Sequence, residues 1–562
     1  MQLHKSTINA VGKALLDFDI KSDKKDLGFI FKRFKSKLEL PVAAGDSTRR
    51  EKAWVNWLST DNSLPDFHLY PLSWASARLL IARVLKDFRL GPVAFSNGSE
   101  FTPTLGFNSI ESKLGRSEWT CTADNFELWC ETVYSHHGLK AALKKRYAEW
   151  LRRSGFSPKR TDYLLWQHFS KKRNAAYKVF RFKLSQITTI VEGNRFSTVP
   201  KNNEKDRPIC VEPLANILTQ RRVGLGIREC LNDKLGIDLT SLAEKHKSRI
   251  ADPKVATIDL ENASDRISLR LVEYLLPRRI FRLVSESRSE MTLGLDGEFY
   301  FIKKVSSMGN GFTFELMSLI LTCLARSFDP TATVFGDDII VASDVANAVI
   351  EAIQGGDLIV NVQKTHINDG YRESCGAHYF DGIGYIESFD FRFPVNEAEV
   401  LTILNKVGRL SLVHPEFLPL YGKIERLLPD ALLPGPRKGA QYSEDLFTGS
   451  PLVSCCLAPF PFSKEGGLVK QKTMMRRLHK FGQLLQLDVR GATLHYGYEW
   501  KDARAVVTNL CARQWAKYLM YLASGRRCRD TVRGKGKFKS ILYVTLADGS
   551  TFRWSSVVAF LI

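Results

Sequence analysis

The chain has 562 residues, 44% hydrophobic and 25% charged, which excludes bulk disorder and a single small domain and requires several subdomains around a substantial core. Its 81 Lys and Arg against 60 Asp and Glu leave a formal net charge of +21, a field that favours a polyanionic partner and says nothing about fold. No run approaches the roughly 18 apolar residues that cross a bilayer, and the opening MQLHKSTINAVGKALLDFDI lacks an apolar leader core, so a cytosolic protein with no membrane contact is expected.

In chain order, basic clusters come first: FKRFKSK (31–37), LKKRYAEWLRR (143–153) and KKRNAAYKVFRFK (171–183). The last interleaves aromatics with cations and reads as a solvated helix face with Tyr177 and Phe180 turned inward. A further basic stretch, GRRCRDTVRGKGKFKS (525–540), holds glycines that point to a mobile loop. The ten cysteines, at 121, 130, 210, 230, 323, 375, 455, 456, 511 and 528, form no CxxC pair, so neither a zinc site nor a disulfide framework is indicated and they read as reduced thiols, mostly in the core.

The middle of the chain is the most regular. KVATIDL (254–260) alternates as a strand with Val255, Thr257 and Asp259 on one face. After Ser264, read as an N-cap, RISLRLVEYLL repeats apolar residues at Ile267, Leu271 and Leu275 and again at Val272 and Leu276, then stops at Pro277, which predicts an amphipathic helix. LDGE (295–298) marks a turn between short strands, and SSMGNGF (306–312) is a glycine-rich loop opening a second helix with a buried stripe of Leu316, Leu319, Ile320, Cys323 and Leu324. Asp329-Pro330 breaks that helix. TATVFGDDIIVAS (331–343) then reads as strands 331–335 and 338–342 joined by Gly336-Asp337, a two-residue hairpin turn with glycine first. A helix over 344–354, ended by Gly355-Gly356, leads to a strand at 357–362. The order strand, helix, hairpin, helix, strand, with a helix and hairpin inserted before the glycine-rich loop, is that of a split βαβ unit.

The hairpin carries two adjacent acids, Asp337 and Asp338, to the end of a sheet. Carboxylates that close repel or share a proton unless a hard cation neutralises them. If strand 254–260 pairs beside the hairpin, Asp259 joins them, and three acids from neighbouring strands can hold two Mg²⁺ ions spaced for phosphoryl transfer.

The order of neighbouring motifs is more telling than the acids alone. ATIDLENASDRIS (256–268), SSMGNGFTFEL (306–316), FGDDII (335–340), QKT (363–365) and RESCGAHYF (372–380) follow FSTVPKNNEKDRPICVEP (196–213), all within about 185 residues. This set resembles the palm of RNA-dependent RNA polymerases, and specifically the RNA-directed RNA polymerase (replicase catalytic beta subunit) of small RNA bacteriophages, the leviviruses.

The resemblance implies an α+β right-hand polymerase of fingers, palm and thumb with a ferredoxin-like, split βαβ palm. Residues 1–244 would be the N-terminal region and fingers, 245–380 the catalytic palm, and 381–562 the thumb and C-terminal region. It implies that Asp259 and Asp337 ligate both catalytic Mg²⁺ ions, with Asp338 a weaker or second-site ligand. Lys201, Lys205 and Arg207 would hold the incoming triphosphate. Ser307, Gly309 and Asn310 would lie in the loop under the nascent pair, and Lys364 would act as general acid near the leaving pyrophosphate. RESCGAHYF would form the turn that grips the growing strand, with Cys375 packing there.

Three positions depart from the family pattern. The second acid of the first motif, Asp265, lies six rather than five residues after Asp259; Met317 stands where an Asn is common; and Phe335 replaces a Tyr. Asp265 remains the candidate for reading the ribose 2′-OH, together with Asn310. The implied reaction is template-directed attack of a nascent RNA 3′-OH on the α-phosphate of a ribonucleoside triphosphate. A reverse transcriptase-like polymerase and a catalytically inactive RNA-binding phage protein are the alternatives. Implied partners are template and nascent RNA, ribonucleoside triphosphates, host elongation factors Tu and Ts and a host ribosomal protein, in the cytoplasm of the bacterial host.

Overall fold

A computed structural model describes residues 4–428 except 21–23, 39–46, 67–68, 96–100, 102–112, 115–117, 171, 203, 387 and 396, and beyond 428 the strands Ala458–Pro459, Thr493–Trp500, Phe538–Thr545 and Thr551–Arg553. The chain divides into two compact units, residues 41–387 and residues 1–40 with 388–562. Residues 1–40 group with 388–562 because Phe34 packs on Phe391 and Phe417, with ring centroids 4.4 and 5.9 Å apart, while Lys37 and Arg33 pair with Asp390. The basic cluster 31–37 is thus used in packing. The larger unit runs past 380 because Gly384–Tyr385 adds a third strand to the hairpin before it.

In the smaller unit, helices Lys5–Leu16, Lys25–Lys35, Glu397–Val413 and Leu418–Glu425 pack around that phenylalanine cluster. The four strands beyond 428 form one antiparallel sheet in chain order. The last three residues of the basic stretch 525–540 begin the strand Phe538–Thr545; the rest of that stretch, and Cys455, Cys456, Cys511 and Cys528, lie outside the described residues.

In the larger unit the split βαβ expectation is met strand by strand. Val255–Ile258 pairs antiparallel with Asp338–Ala342, which pairs antiparallel with Thr333–Phe335. On the other side, Leu260–Glu261 continues the first strand and pairs antiparallel with Ile359–Val360. Numbering the four strands by sequence, their spatial order is 4-1-3-2, that of a ferredoxin-like sheet. Val255–Ile258 is buried on both faces, so its alternation marks register and not a solvent side.

Several predicted boundaries shift, among them that of the helix over 344–354, which begins at Ala346. The helix after Asp259 begins at Leu269 and not beyond Ser264: Ala263–Arg266 forms a single short turn, Ile267 is extended, and Ser268 supplies the cap, its Oγ accepting from the Leu271 N–H at 3.0 Å. Ser268 and Lys304 form an isolated bridge that pulls the chain out of helix at that point. The strand predicted at 331–335 starts at Thr333, because Asp329 turns back to accept from the Thr331 N–H and hydroxyl. The last predicted strand, 357–362, shortens to Ile359–Val360.

Helix Thr313–Ala325 exceeds its predicted stripe: every residue from Leu316 to Ala325 is buried, since Leu72–Val84 and Leu214–Leu235 cover it in addition to the sheet. A helix enclosed on all sides shows no polar face. A second sheet, in the order Asp206–Val211, Gly193–Pro200, Met291–Leu293, Phe299–Phe301, lies in the same unit. LDGE makes its predicted turn there. Helix Ser47–Asn62 inserts Trp54 and Trp57 against Phe196 of this sheet. Of the described cysteines, Cys121, Cys130, Cys210, Cys230 and Cys323 are buried thiols and Cys375 is half-buried.

Candidate active site

The Gly336-Asp337 turn has the predicted form. Gly336 has φ +69° and Asp337 does not enter the left-handed region, as a glycine-first hairpin turn requires. The Gly336 N–H donates to Ser318 Oγ at 2.9 Å, anchoring the turn to the buried helix. Phe335 packs edge-on against Phe314, with centroids 4.7 Å apart, so the ring at this position is packed without a tyrosine hydroxyl.

Register places the acids together. Ile339 faces Ile258, so Asp338 and Asp259 occupy the next opposed positions at the same end of the sheet, with Asp337 in the adjoining turn. Asp259 sits where the first strand breaks. Its carbonyl accepts from the Asn361 N–H at 2.8 Å, its N–H donates to Thr365 Oγ1 at 3.3 Å, and Asn361 Nδ2 donates to Oδ2 at 3.1 Å.

Electrostatics show that the three acids act on one another. Burial first, then the charges of Asp337 and Asp259, push Asp338 up to about 7, against a backbone hydrogen bond from Cys375. That donor stands at the Cys375-Gly376 turn between Tyr371–Ser374 and Ala377–Phe380, where both residues have positive φ. Asp259 is also raised, burial and Asp337 outweighing Lys364, whose Nζ lies 3.3 Å from Asp259 Oδ2. Lys364 is held above its ordinary value, its burial overcome by Asp259 and Glu373.

Among the described residues no three His, Cys, Asp or Glu side chains stand close enough to hold an ion as placed. The donor set nevertheless suits a hard divalent cation: these are carboxylate oxygens whose charges disfavour each other until a cation joins them.

The triphosphate candidates lie on the hairpin between Gly193–Pro200 and Asp206–Val211. Lys201 and Lys205 close its loop, the Lys201 N–H donating to the Lys205 carbonyl at 3.0 Å, and Arg207 opposes Val199. Lys201 is lowered by partial desolvation, then by Arg207 and Lys364, and is drawn back by Asp259 and Asp337, which places it within the field of the acids. Lys201, Lys205 and Arg207 are all solvent-exposed on this hairpin.

The loop 306–312 joins this hairpin to the sheet. Met308 carbonyl accepts from the Cys210 N–H at 2.8 Å, and Gly309, at φ +104°, lies so close to Cys210 that a Cβ would stand 2.2 Å from its carbonyl oxygen. Asn310 turns toward Glu212, with Nδ2 3.5 Å from Oε1, while its Oδ1 caps the Phe312 N–H at 3.0 Å. Glu212 is buried and raised by that burial, and it is further held by Asn194 and Ser289.

Ser307 meets Asp265 instead. Its hydroxyl donates to Asp265 Oδ1 at 3.0 Å, and the direction follows from Trp57, whose indole N–H donates to the same hydroxyl at 3.0 Å and leaves it only its own proton to give. Lys304 was not anticipated from sequence. It has no exposed surface, donates to Asp265 Oδ1 at 3.3 Å and to the Trp57 carbonyl at 3.2 Å, and sits 3.8 Å from the centre of the Trp57 ring. Asp61 completes the pocket by accepting from the backbone N–H groups of Lys303 and Lys304. Among the described residues Asp265 Oδ2 has no protein donor. The only sequence signal was the Lys303-Lys304 pair just before the glycine-rich motif, which reads as a solvated charge run.

Residues 159–530 match the family described as RNA replicase, beta-chain. The RNA-directed RNA polymerase subunit beta of Qbeta virus (strain MX1) is 37% identical over 303 residues, 51% of this chain and 50% of that protein. The RNA-directed RNA polymerase beta chain of Escherichia phage MS2 is 35% identical over 402 residues, 67% of this chain and 66% of that one. The chain thus spans about half the length of the first of these relatives and about two thirds of the second. Among solved structures, the RNA-dependent RNA polymerase of a human picobirnavirus superposes over 42% of this chain and 56% of its own at 13% identity and a TM-score of 0.30. The BmCPV RNA-dependent RNA polymerase superposes over 69% and 34% at 11% identity and a TM-score of 0.32.

Proposed function

This chain belongs to the RNA replicase beta-chain family, and from that premise we propose that it synthesises RNA on an RNA template by nucleotidyl transfer from ribonucleoside triphosphates. The observation that carries the reading is the 4-1-3-2 sheet, which sets Asp259 opposite Asp338 beside Asp337, with Lys364 and Lys201 in the same field. The nascent 3′-OH, giving up its proton to the surrounding water, would form a bond from its oxygen to the α-phosphorus as the bond to the bridging oxygen breaks and pyrophosphate leaves. Lys201, Lys205 and Arg207 would hold the triphosphate, and Lys364 would deliver a proton to the departing oxygen. Asp265 Oδ2 is free to accept from a ribose 2′-OH, while Ser307, Gly309 and Asn310 would shape the loop beneath the new pair. Asp259, Asp337 and Asp338 would hold divalent ions, two Mg²⁺ in this reading, which when bound activate the attacking oxygen and stabilise the leaving one.

In the same reading, 1–244 contributes fingers, 245–380 the palm and 381–562 the thumb and C-terminal region. Host elongation factors Tu and Ts, a host ribosomal protein and the host cytoplasm are carried forward from the family resemblance, to be tested by co-purification. Among the described residues no helix is long and apolar enough to cross a membrane.

The test is incorporation of labelled ribonucleotides on an RNA template with Mg²⁺. Asp259→Asn and Asp337→Asn should each lower the rate by about 1,000-fold, roughly 4 kcal/mol of transition-state stabilisation. Wild-type rates in either variant would overturn the assignment. Preferential use of deoxyribonucleotides would favour a reverse transcriptase, and RNA binding without synthesis an inactive relative.

A further inference from the structure

We propose that the helix Pro158–Phe169 and the chain just before it form a stacking platform for single-stranded RNA, separate from the residues assigned to nucleotidyl transfer. The charge of the molecule is concentrated here. Residues 137–185 contain fourteen Lys or Arg and two Asp or Glu, a net +12 of the chain's +21. They fold as three helices, His137–Arg153, Pro158–Phe169 and Ala175–Ser185.

The outer two helices are anchored. The first buries Leu139, Leu143, Tyr147 and Leu151, and the third buries Val179 and Leu184, with Tyr177 and Phe180 packed inward as the sequence predicts. The middle helix has no buried residue. It nevertheless presents Tyr163 at 62% exposure and Trp166 at 49%, and Phe156 just before it is 59% exposed. Folding accounts for only part of these rings: an aromatic side chain contributes to stability through the area it buries, and here about half or more of that area stays in water.

Spacing gives the rings a purpose. Lys159, Tyr163 and Trp166 stand at i, i+4 and i+7, on one face of the helix, with Arg160 beside them. Gln167 Nε2 donates to the Tyr163 hydroxyl at 2.7 Å, fixing that side chain along the helix. Both acids of the stretch are already engaged, Asp162 with Lys183 at 2.7 Å and Glu149 with Arg146 at 2.8 Å. Among the described residues, Lys159 and Arg160 have no acidic partner. Fixed aromatic faces set among unneutralised cations are what a single strand needs, stacking for its bases and charge for its phosphates. A duplex would satisfy the cations but offers no free base face to the rings, and an acidic protein surface would do likewise.

The inference rests on the proposed function only for the choice of RNA, and binding can be read with neither nucleotide nor metal. The probe is a labelled, unstructured RNA of about 15 nucleotides, titrated with the full chain by anisotropy, alone and annealed to its complement. Tyr163→Ala with Trp166→Ala should weaken single-strand binding by about tenfold or more while leaving duplex binding and the salt slope as in the wild type. Lys159→Ala with Arg160→Ala should weaken both and reduce the salt slope by about two. RNA should quench Trp166 fluorescence, and the quench should shrink in Trp166→Phe, a readout that does not depend on large truncation. Asp337→Asn should bind like the wild type, so loss of synthesis and loss of this surface are separable. Unchanged single-strand affinity in the aromatic variant, equal weakening of duplex binding, or an undiminished quench in Trp166→Phe would overturn the proposal, the last two pointing to plain electrostatic or protein contact.

Discussion

Lys304 and Asp265 form an ion pair whose cation is entirely enclosed: the ammonium lies 3.3 Å from Asp265 Oδ1, over the Trp57 ring and within 4.0 Å of Asp61. Two donors, Lys304 and Ser307, converge on the same oxygen. The carboxylate is therefore oriented with Oδ2 left to accept. Removing one member of a buried pair strands the other charge, so Lys304→Met should destabilise the protein by about 3 kcal/mol, measurable by denaturant unfolding. If Asp265 reads the ribose, the same variant should lose at least about tenfold of its preference for ribonucleotides over 2′-deoxyribonucleotides, as should Asp265→Ala. Full discrimination in a folded Lys304→Met variant would reduce Lys304 to a stabilising role.

Gly309 joins the loop 306–312 to the strand Asp206–Val211 through a contact that no side chain can enter. With φ +104° and the Cys210 carbonyl 2.2 Å from any added Cβ, Gly309→Ala must displace the loop or the strand behind it. The combined backbone strain and overpacking amount to about 3 kcal/mol. The Michaelis constant for nucleotide should rise more than the turnover number falls, because Asp259 and Asp337 lie on other elements. Steady-state kinetics with a parallel melting curve would show whether the damage is confined to the loop.

His246 is fully buried, with Nδ1 2.8 Å from Ser374 Oγ and, among the described residues, no partner for Nε2. Burial, and then Arg249, lowers it to about 4, from 6.5. Below pH 6.5 the unfolded chain takes up a proton that the native protein refuses, so stability falls as the pH drops from 6.5 towards 4, by up to about 3 kcal/mol from this residue. Unfolding free energies measured across that window should fall less steeply in His246→Gln than in the wild type. Equal slopes would assign the acid sensitivity to other groups.

The palm was readable in advance because its information is local. Alternating apolar residues, a glycine-first turn and paired acids follow from periodicity and turn sterics, and the motif order supplied the pairing of strand 254–260 with the hairpin. The inward Tyr177 and Phe180 came from the same kind of reading, whereas the role proposed for Lys201 and Lys205 came from the family resemblance. Residues joined across long separations were not readable. Trp57 reaches Ser307, and Asp61 reaches Lys304, over more than 240 positions. Nothing in a charge run such as Lys303-Lys304 tells which lysine will be buried, since that depends on which side of the segment the helix Ser47–Asn62 covers. The same limit applies to Pro158–Phe169, whose apolar positions suit a packed helix as well as an exposed one. Periodicity specifies which residues share a face; only the assembled neighbours decide whether that face meets protein or water, and with it whether a charge is a solvated ornament or a buried support.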